Sequence, residues 1–343
     1  MIQEVIDILS KNQDLTTTQM QTVMEEIMTG KAQTSQIVSF LTGLNDKGET
    51  VQELTAAVSV MRRHVNRISV DREVILDTCG TGGDKKGTFN ISTVVAFVAC
   101  GAGITVAKHG NRSVSSHCGS ADILEALGIN INMGNEQLVK CLNEVGIAFL
   151  FAPNLHPAMK YAMPARKEMG KRTMFNILGP LTNPAGATHQ LVGVYDAHWT
   201  NILAAVLGNL GTVHAMVVHG EDGLDEITTT AKTSVSQIYK GKLNNYEIKP
   251  EDFGFKKAKP EDLLGGTVSD NAKILTDILT GKNGPKRDIV ILNSAAAIYV
   301  ADKVRAIKEG IDLASESIDS GRALKKLELL KEYSNEGTTY GMK

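Results

Sequence analysis

The sequence predicts an α/β protein in two parts: a small all-helical domain, then a larger domain with a mostly parallel sheet covered by helices. Two patterns carry that expectation. Residues 1–66 hold apolar residues at helical spacing, with no strand-like run between them. From Val74 onward, short β-branched or apolar runs alternate with helical stretches, the order that builds a parallel sheet flanked by helices. A chain of 343 residues is long enough for two domains of about 100–200 residues each. Its 42% apolar content and few prolines fit a full globular core.

In the helical part, Ile2, Val5, Ile6 and Ile8-Leu9 form one amphipathic stretch. Thr16 to Thr18 offer caps before Met20, Val23, Met24 and Ile27-Met28, and Gly30 ends that helix. Thr34-Ser35 opens a third helix, closed by Gly48; Glu49-Thr50 opens a fourth through Val51, Leu54 and Ala57-Val58. Four short amphipathic helices leave an apolar face over, which suits contact with a second copy.

In the larger part, strands are expected at Val74–Leu76, Ile104–Ala107, Ile147–Phe151, Gln190–Val194 and Val213–Val218. Helices are expected from Ser92, near Ala121–Leu127 and at Ile202–Leu210. Residues 153–186 interrupt the alternation; rich in Pro, Arg and Lys, they carry a helix-like piece at Pro164–Met169. They are expected to pack back on the N-terminal helices. Residues 233–258 read as short strands with turns, and the tail from Gly265 as three amphipathic helices ending near Tyr333. The expected division is 1–66, joined by part of 153–186, and 67–343.

Composition excludes several classes. A net charge of −2 rules out a general polyanion surface, so no nucleic-acid partner is expected and any anion site must be local. Cys79, Cys100, Cys118 and Cys141 lack the short spacing of a zinc or redox pair and read as reduced thiols of a cytoplasmic protein. The N-terminus lacks a signal-peptide pattern. The longest apolar run, Val94 to Ala107, contains two glycines and is shorter than the ~20 residues needed to span a bilayer, so no membrane partner is expected.

The chemistry centres on Gly80-Thr81-Gly82-Gly83-Asp84, between the first expected strand and the next helix. Glycines there let backbone come close to a ligand, and N–H groups at a helix start favour phosphate. Gly82 and Gly87 have P-loop spacing, but Thr88-Phe89 stands where Lys-Ser/Thr is required. By itself the loop is equally a tight strand–helix turn. Asn90 and Ser92-Thr93 at the helix start add groups that can cap or bind phosphate oxygens.

A second loop, Lys108-His109-Gly110-Asn111-Arg112 with Ser113, Ser115, Ser116, Ser120 and Asp122, follows the second expected strand. Ligands of parallel sheets sit outside the carboxyl ends of strands, so two such loops point to one anion site. In Gly220-Glu221-Asp222-Gly223-Leu224-Asp225-Glu226, adjacent carboxylates repel unless a cation lies between them. Alone this is a solvated acidic turn; beside two anion loops it points to Mg²⁺. Arg166, near Lys167 and Arg172, could hold a carboxylate bidentately, although its spacing equally fits a surface arginine. No Ser-His-Asp or Cys-His set stands out.

Together these segments resemble the anthranilate phosphoribosyltransferase family. The likeness rests on Gly80–Asp84, Phe89-Asn90-Ile91-Ser92-Thr93, Val106–Arg112, Ser120-Ala121-Asp122 and Asp222–Glu226. Arg172-Thr173, Phe175-Asn176 and Gly179–Pro184 add to it, and the likeness runs nearly the whole length. The resemblance implies a helical plus α/β fold shared with pyrimidine nucleoside phosphorylases, and a homodimer joined through the helical domain. It implies a pentosyl transfer from 5-phosphoribosyl 1-diphosphate to anthranilate, with Mg²⁺. Gly80, Gly83, Asp84, Thr88, Asn90, Ile91, Ser92, Thr93, Lys108 and Ser120, with the loop through Gly110, Arg112, Ser113, Ser115 and Ser116, would meet the substrates. Ser92, Asp225 and Glu226 would serve the metal. Asn111 and Arg166 would contact anthranilate, with His109 close by, and Gly80 would lie at the seam of both substrates.

Two other readings compete. A pyrimidine nucleoside phosphorylase on the same fold uses phosphate and a nucleoside, and needs no metal carboxylates; Asp225-Glu226 argues against it. A non-catalytic nucleic-acid binder would carry a basic surface and a degraded acidic motif.

Overall fold

The computed structural model describes residues 1–112 and 118–336. Four helices open the chain: α1 (Ile2–Leu9), α2 (Thr17–Met28), α3 (Thr34–Lys47) and α4 (Val51–Arg63). Their starts are set locally. The Thr16 hydroxyl accepts from the Gln19 N–H at 3.3 Å and the Thr50 hydroxyl from the Glu53 N–H at 3.2 Å, each satisfying a first-turn donor. Glu53 is wholly buried but fully partnered, accepting from the Leu15 and Thr50 N–H groups and from Lys47 Nζ. Such partners are what make a buried carboxylate tolerable.

Next come β1 (Leu76–Gly80), α5 (Ile91–Gly101), β2 (Val106–Gly110), α6 (Ser120–Ala126), α7 (Asn135–Lys140) and β3 (Ile147–Phe151). Short helices α8 (Ala152–Leu155), α9 (Met163–Met169) and α10 (Met174–Leu178) lead to β4 (His189–Gly193), α11 (His198–Asn209) and β5 (His214–Gly220). A hairpin, β6 (Thr233–Tyr239) and β7 (Lys242–Ile248), precedes α12 (Val268–Leu279), α13 (Pro285–Val300), α14 (Ile307–Asp319) and α15 (Arg322–Asn335). The strands stand in the order β3-β2-β1-β4-β5-β6-β7. β1 to β5 pair in parallel, and the hairpin adds to β5 antiparallel. The expected fold class is thus the observed one. Among the described residues no helix is long and apolar enough to cross a membrane.

Each face of the sheet has its own apolar cluster. Leu191, Met216 and Val218 point to one, and Val192, Ala215 and Val217 to the other, the two-residue period of a strand. α5 and the C-terminal helices cover the first face. α11 covers the second, in a cluster that also holds Met24, Phe40 and Leu54 of the N-terminal helices and Ala158, Ala165, Met174 and Leu181. With both faces covered, β3 and β4 are buried along their length.

Three expectations need correction. β1 runs to Gly80, so Asp77-Thr78-Cys79 are strand rather than turn, paired with Gln190, Leu191 and Val192. β2 likewise continues through Lys108-His109-Gly110. Polar side chains hid both ends: Asp77 reads as a turn residue, yet it is buried and accepts from the His109 N–H at 3.0 Å. The tail holds four helices, not three, because α13 is buried on nearly every side and carries no amphipathic stripe.

Candidate active site

Strand order reverses between β1 and β4: β2 and β3 extend the sheet one way, and β4 resumes on the other side of β1. At such a point a crevice opens outside the carboxyl ends of the strands. The glycine loop lies there. Gly80 at the end of β1 pairs with Gly193 at the end of β4, and the Thr81 N–H donates to the Gly193 carbonyl at 2.9 Å. Gly82, Gly83 and Gly87 have φ of 64°, 82° and 67°, in the left-handed region that favours glycine.

The two strand-end glycines have another cause. A Cβ on Gly193 would fall 1.6 Å from the Asp225 carbonyl oxygen, and one on Gly80 would fall 2.9 Å from Asp225 Oδ2. The Asp225-Glu226 segment therefore crosses directly over the ends of β4 and β1. Gly82 N–H donates to Asp225 Oδ2 at 3.0 Å, binding the loop to that segment.

Distant residues aim the acidic segment. Asn293 on α13, fully buried, donates Nδ2 to the Ile227 carbonyl at 2.8 Å and accepts from the Ile227 N–H at 3.0 Å. Asp222 is consumed within its own turn by Leu224 N–H and the hydroxyls of Thr228 and Thr230. Asp225 and Glu226 remain for the crevice. Burial raises the Asp225 carboxyl pKa, and the Asp84 carboxylate adds to the rise. Burial also raises Glu226, helped by Asp225 and opposed by Lys108. Asp84 Oδ2 is buried and meets no donor.

Mutually repelling carboxylates with an unpartnered oxygen form a hard-oxygen set that a divalent cation would satisfy. Among the described residues no three His, Cys, Asp or Glu side chains are gathered closely enough to hold a metal unaided. Mg²⁺ takes one or two carboxylates and completes its octahedron with phosphate oxygens and water.

Ser92 lies in the first turn of α5. Its N–H opposes the rise of the Glu226 pKa, and its Oγ accepts from Lys108 Nζ at 3.2 Å. Lys108 is buried and also donates to the Thr78 carbonyl; burial lowers its pKa, with Asp77 opposing most strongly. Gly80, Asp84, Ser92, Lys108, Asp225 and Glu226 thus meet in one cluster. Asn90 caps α5, its N–H donating to Asn271 Oδ1 at 3.2 Å and its Oδ1 accepting from Thr93 Oγ1 at 2.5 Å. The Ile91 and Thr93 side chains are buried in the core, which leaves only the backbone of Ile91 to face the crevice. Thr88 bridges to Leu264 and ties down the far end of the glycine loop.

The second loop is arranged differently. Ser120 Oγ donates to the Asn111 carbonyl at 3.3 Å, beside Gly110. Arg112 is paired with Asp122 and Glu125 at 2.7 and 2.6 Å, so its charge is already matched. Ser113, Ser115 and Ser116 lie outside the described residues. The buried His109 ring stands with Nε2 3.0 Å from His156 Nε2. Burial, then His156 and Lys108, push its pKa well down, so it is neutral. Arg166 on α9 is half-buried, 5.8 Å from the centroid of the Phe175 ring. Among the described residues no carboxylate pairs with it.

Several residues of the site were not anticipated. Asp77 accepts from Asn183 Nδ2 at 2.8 Å as well as from His109 N–H, and so ties the Gly179–Pro184 turn to β1 and β2. Asn271, Asn293, Arg172, Tyr195 and His156 also shape the crevice. A polar residue in apolar sequence surroundings was the available signal for Asn293.

Comparison with known proteins agrees with this fold. The glycosyl transferase family models match the chain over 3–65 (helical bundle domain) and 72–324 (a/b domain). The anthranilate phosphoribosyltransferase of Alkaliphilus metalliredigens is 53% identical over 336 residues, covering 98% of this chain and 99% of that protein. The crystal structure of the Thermus thermophilus enzyme of that name superposes with a TM-score of 0.92 at 39% identity, covering 96% of this chain and 99% of that one. The Saccharomyces cerevisiae enzyme in complex with PRPP and Mg gives 0.89 at 28% identity, over 97% and 98%. The chain belongs to the anthranilate phosphoribosyltransferase family, the glycosyltransferases of tryptophan biosynthesis.

Proposed function

We propose that the crevice transfers the phosphoribosyl group of 5-phosphoribosyl 1-diphosphate to the amine of anthranilate, releasing diphosphate and N-(5-phosphoribosyl)anthranilate. The observation that carries this reading is the Asp225-Glu226 segment laid across the glycine loop, beside the buried Lys108. A phosphorylase has no use for that acidic pair. The yeast relative's complexes with PRPP and Mg and with 4-fluoroanthranilate support the two substrates.

In this reading the backbone around Gly80, Gly83, Asp84, Thr88, Asn90 and Ile91, with Ser92, Thr93, Lys108 and Ser120, receives the phosphoribosyl diphosphate. Ser92, Asp225 and Glu226 would hold Mg²⁺, with Asp84 adjacent; when bound, the ion offsets the charge of the diphosphate and makes it a better leaving group. Lys108 and the loop N–H groups stabilise negative charge on the departing diphosphate. Arg166 takes the anthranilate carboxylate in a bidentate pair, with Asn111 and neutral His109 beside it. The amine nitrogen bonds to the ribose carbon as the carbon–oxygen bond to diphosphate breaks, and the proton that the nitrogen then sheds passes to the released diphosphate or to water. An aromatic amine needs placement more than deprotonation, so catalysis rests on position and electrostatics rather than a dedicated base.

The proposal includes a division into 1–66 with part of 153–186, and 67–343. It also includes a homodimer through the helical domain and a cytoplasmic location; sedimentation tests the former. The reaction is tested by the loss of anthranilate fluorescence with phosphoribosyl diphosphate and Mg²⁺. No loss under those conditions overturns the reading.

A further inference from the structure

Arg172 lies between α9 and α10, and none of the roles above uses it. Its guanidinium donates to the Gly83 carbonyl. It also lies over the Tyr195 ring, 3.7 Å from the centroid, in cation–π contact. Tyr195 follows β4 and is itself tied to the loop, its N–H donating to Thr81 Oγ1 at 3.3 Å. Its hydroxyl accepts from Trp199 Nε1 on α11 at 3.2 Å, which fixes the ring. A Cβ on Gly83 would fall 2.6 Å from Arg172 Nη2, so the approach needs glycine.

The loop's own hydrogen bonds show what this contact controls. The Thr81 and Gly82 N–H groups are spent on the Gly193 carbonyl and Asp225. The N–H groups of Gly83, Asp84 and Lys85 meet no acceptor among the described residues. They belong to a stretch in which Gly82, Gly83 and Lys85 are left-handed, a backbone form whose successive N–H groups can cup an anion. The Thr88–Leu264 bridge pins one end and Gly82 pins the other. Arg172 holds the middle. In a trans peptide the carbonyl and the next N–H point opposite ways, so fixing the Gly83 carbonyl turns the Asp84 N–H away from Arg172.

We propose that Arg172, braced on Tyr195, is a positioning residue that sets the glycine loop so that its free N–H groups receive the diphosphate. The inference rests on the phosphoribosyl-transfer reading and assigns a role to two residues outside it. Arg172 acts through the Gly83–Asp84 peptide and not on the reacting atoms.

The test combines steady-state kinetics with calorimetric titration of Mg²⁺ plus inorganic diphosphate, on the wild type, Arg172→Ala, Arg172→Gln, Tyr195→Phe and Tyr195→Leu. Losing one charge-assisted hydrogen bond predicts about tenfold weaker diphosphate binding in Arg172→Ala. The KM for phosphoribosyl diphosphate should rise by a similar factor, with the anthranilate KM and the melting temperature little changed. Tyr195→Phe keeps the ring under Arg172 but loses the Trp199 tie, and should lie closer to the wild type than Tyr195→Leu. Tyr195→Leu should move toward Arg172→Ala, and the Arg172→Ala/Tyr195→Leu double variant should be no worse than Arg172→Ala alone. Should Arg172→Ala melt early, the longer Arg172→Gln carries the same comparison. Unchanged diphosphate affinity in a folded Arg172 variant, equal rises in both KM values, or additive losses in the double variant would overturn the clamp. A wild type that fails to consume anthranilate would instead overturn the reaction on which it rests.

Discussion

Gly80→Ala tests how the acidic segment is placed. Gly80 is not in the left-handed region, so alanine costs no backbone strain there and acts through its methyl group alone. That methyl would stand 2.9 Å from Asp225 Oδ2, 3.4 Å from the Gly193 carbonyl and 3.5 Å from Asp225 Cγ. Ordinary carbon–oxygen contact requires a shift of about 0.5 Å in the carboxylate. The Gly82 N–H···Oδ2 bond, now 3.0 Å, would stretch to the edge of hydrogen bonding. Losing a hydrogen bond to a charged group is worth about 1.5–3 kcal/mol, or roughly 10–100-fold in kcat/KM for phosphoribosyl diphosphate. The Mg²⁺ concentration for half-maximal rate should rise as well. The sequence alone suggests that a side chain at Gly80 hurts both substrates; the position of Asp225 directs the larger effect to the diphosphate and metal side. The assay is anthranilate fluorescence loss across a series of Mg²⁺ and phosphoribosyl diphosphate concentrations. Unchanged kcat/KM and metal dependence would refute the argument, as would a rise confined to the anthranilate KM.

Arg166→Ala should raise the anthranilate KM by roughly tenfold or more while leaving that of the phosphoribosyl substrate within about twofold, since a lost bidentate carboxylate pair acts on one substrate; equal effects count against the role. Asp225→Asn with Glu226→Gln keeps shape but removes two charges, and should weaken Mg²⁺-dependent turnover by at least about tenfold; an unaltered Mg²⁺ titration removes both residues from the metal site. His156 offers a pH test. Burial lowers its pKa to about 4 in the fold, against about 6.5 for a free imidazole, so the unfolded chain takes up the proton first as pH falls. Its contribution to stability is complete above pH 6.5 and is lost as pH drops toward 4, about 3 kcal/mol at most. Asp77, raised to about 6 by burial, has the opposite sign, so the comparison is between wild type and His156→Gln. The variant should show a flatter fall in urea midpoint from pH 6.5 to 4; parallel curves would sink the assignment.

Local signals made much of this protein legible. Helical spacing marked the N-terminal unit, and apolar runs marked β3, β4 and β5 and the starts of β1 and β2, since burial on both faces leaves an apolar run that needs no partner to be read. The glycine loop, the capped start of α5 and the adjacent Asp225-Glu226 named the chemistry, because each is a short run of residue types suited to an anion or a cation. Strand ends were misplaced where polar side chains are satisfied across the sheet, as with Asp77 and the His109 N–H. What only the tertiary structure decided is how these pieces face one another. Asn183 reaches Asp77 from 106 residues away, and Asn293 fixes Ile227 from 66. Gly193 is glycine because Asp225 passes 1.6 Å from where its Cβ would be. Contacts between residues so far apart in the chain leave no periodicity behind. Their physical requirement, a buried polar atom needing a partner or a backbone needing room, becomes visible only when the strands and helices have been brought together.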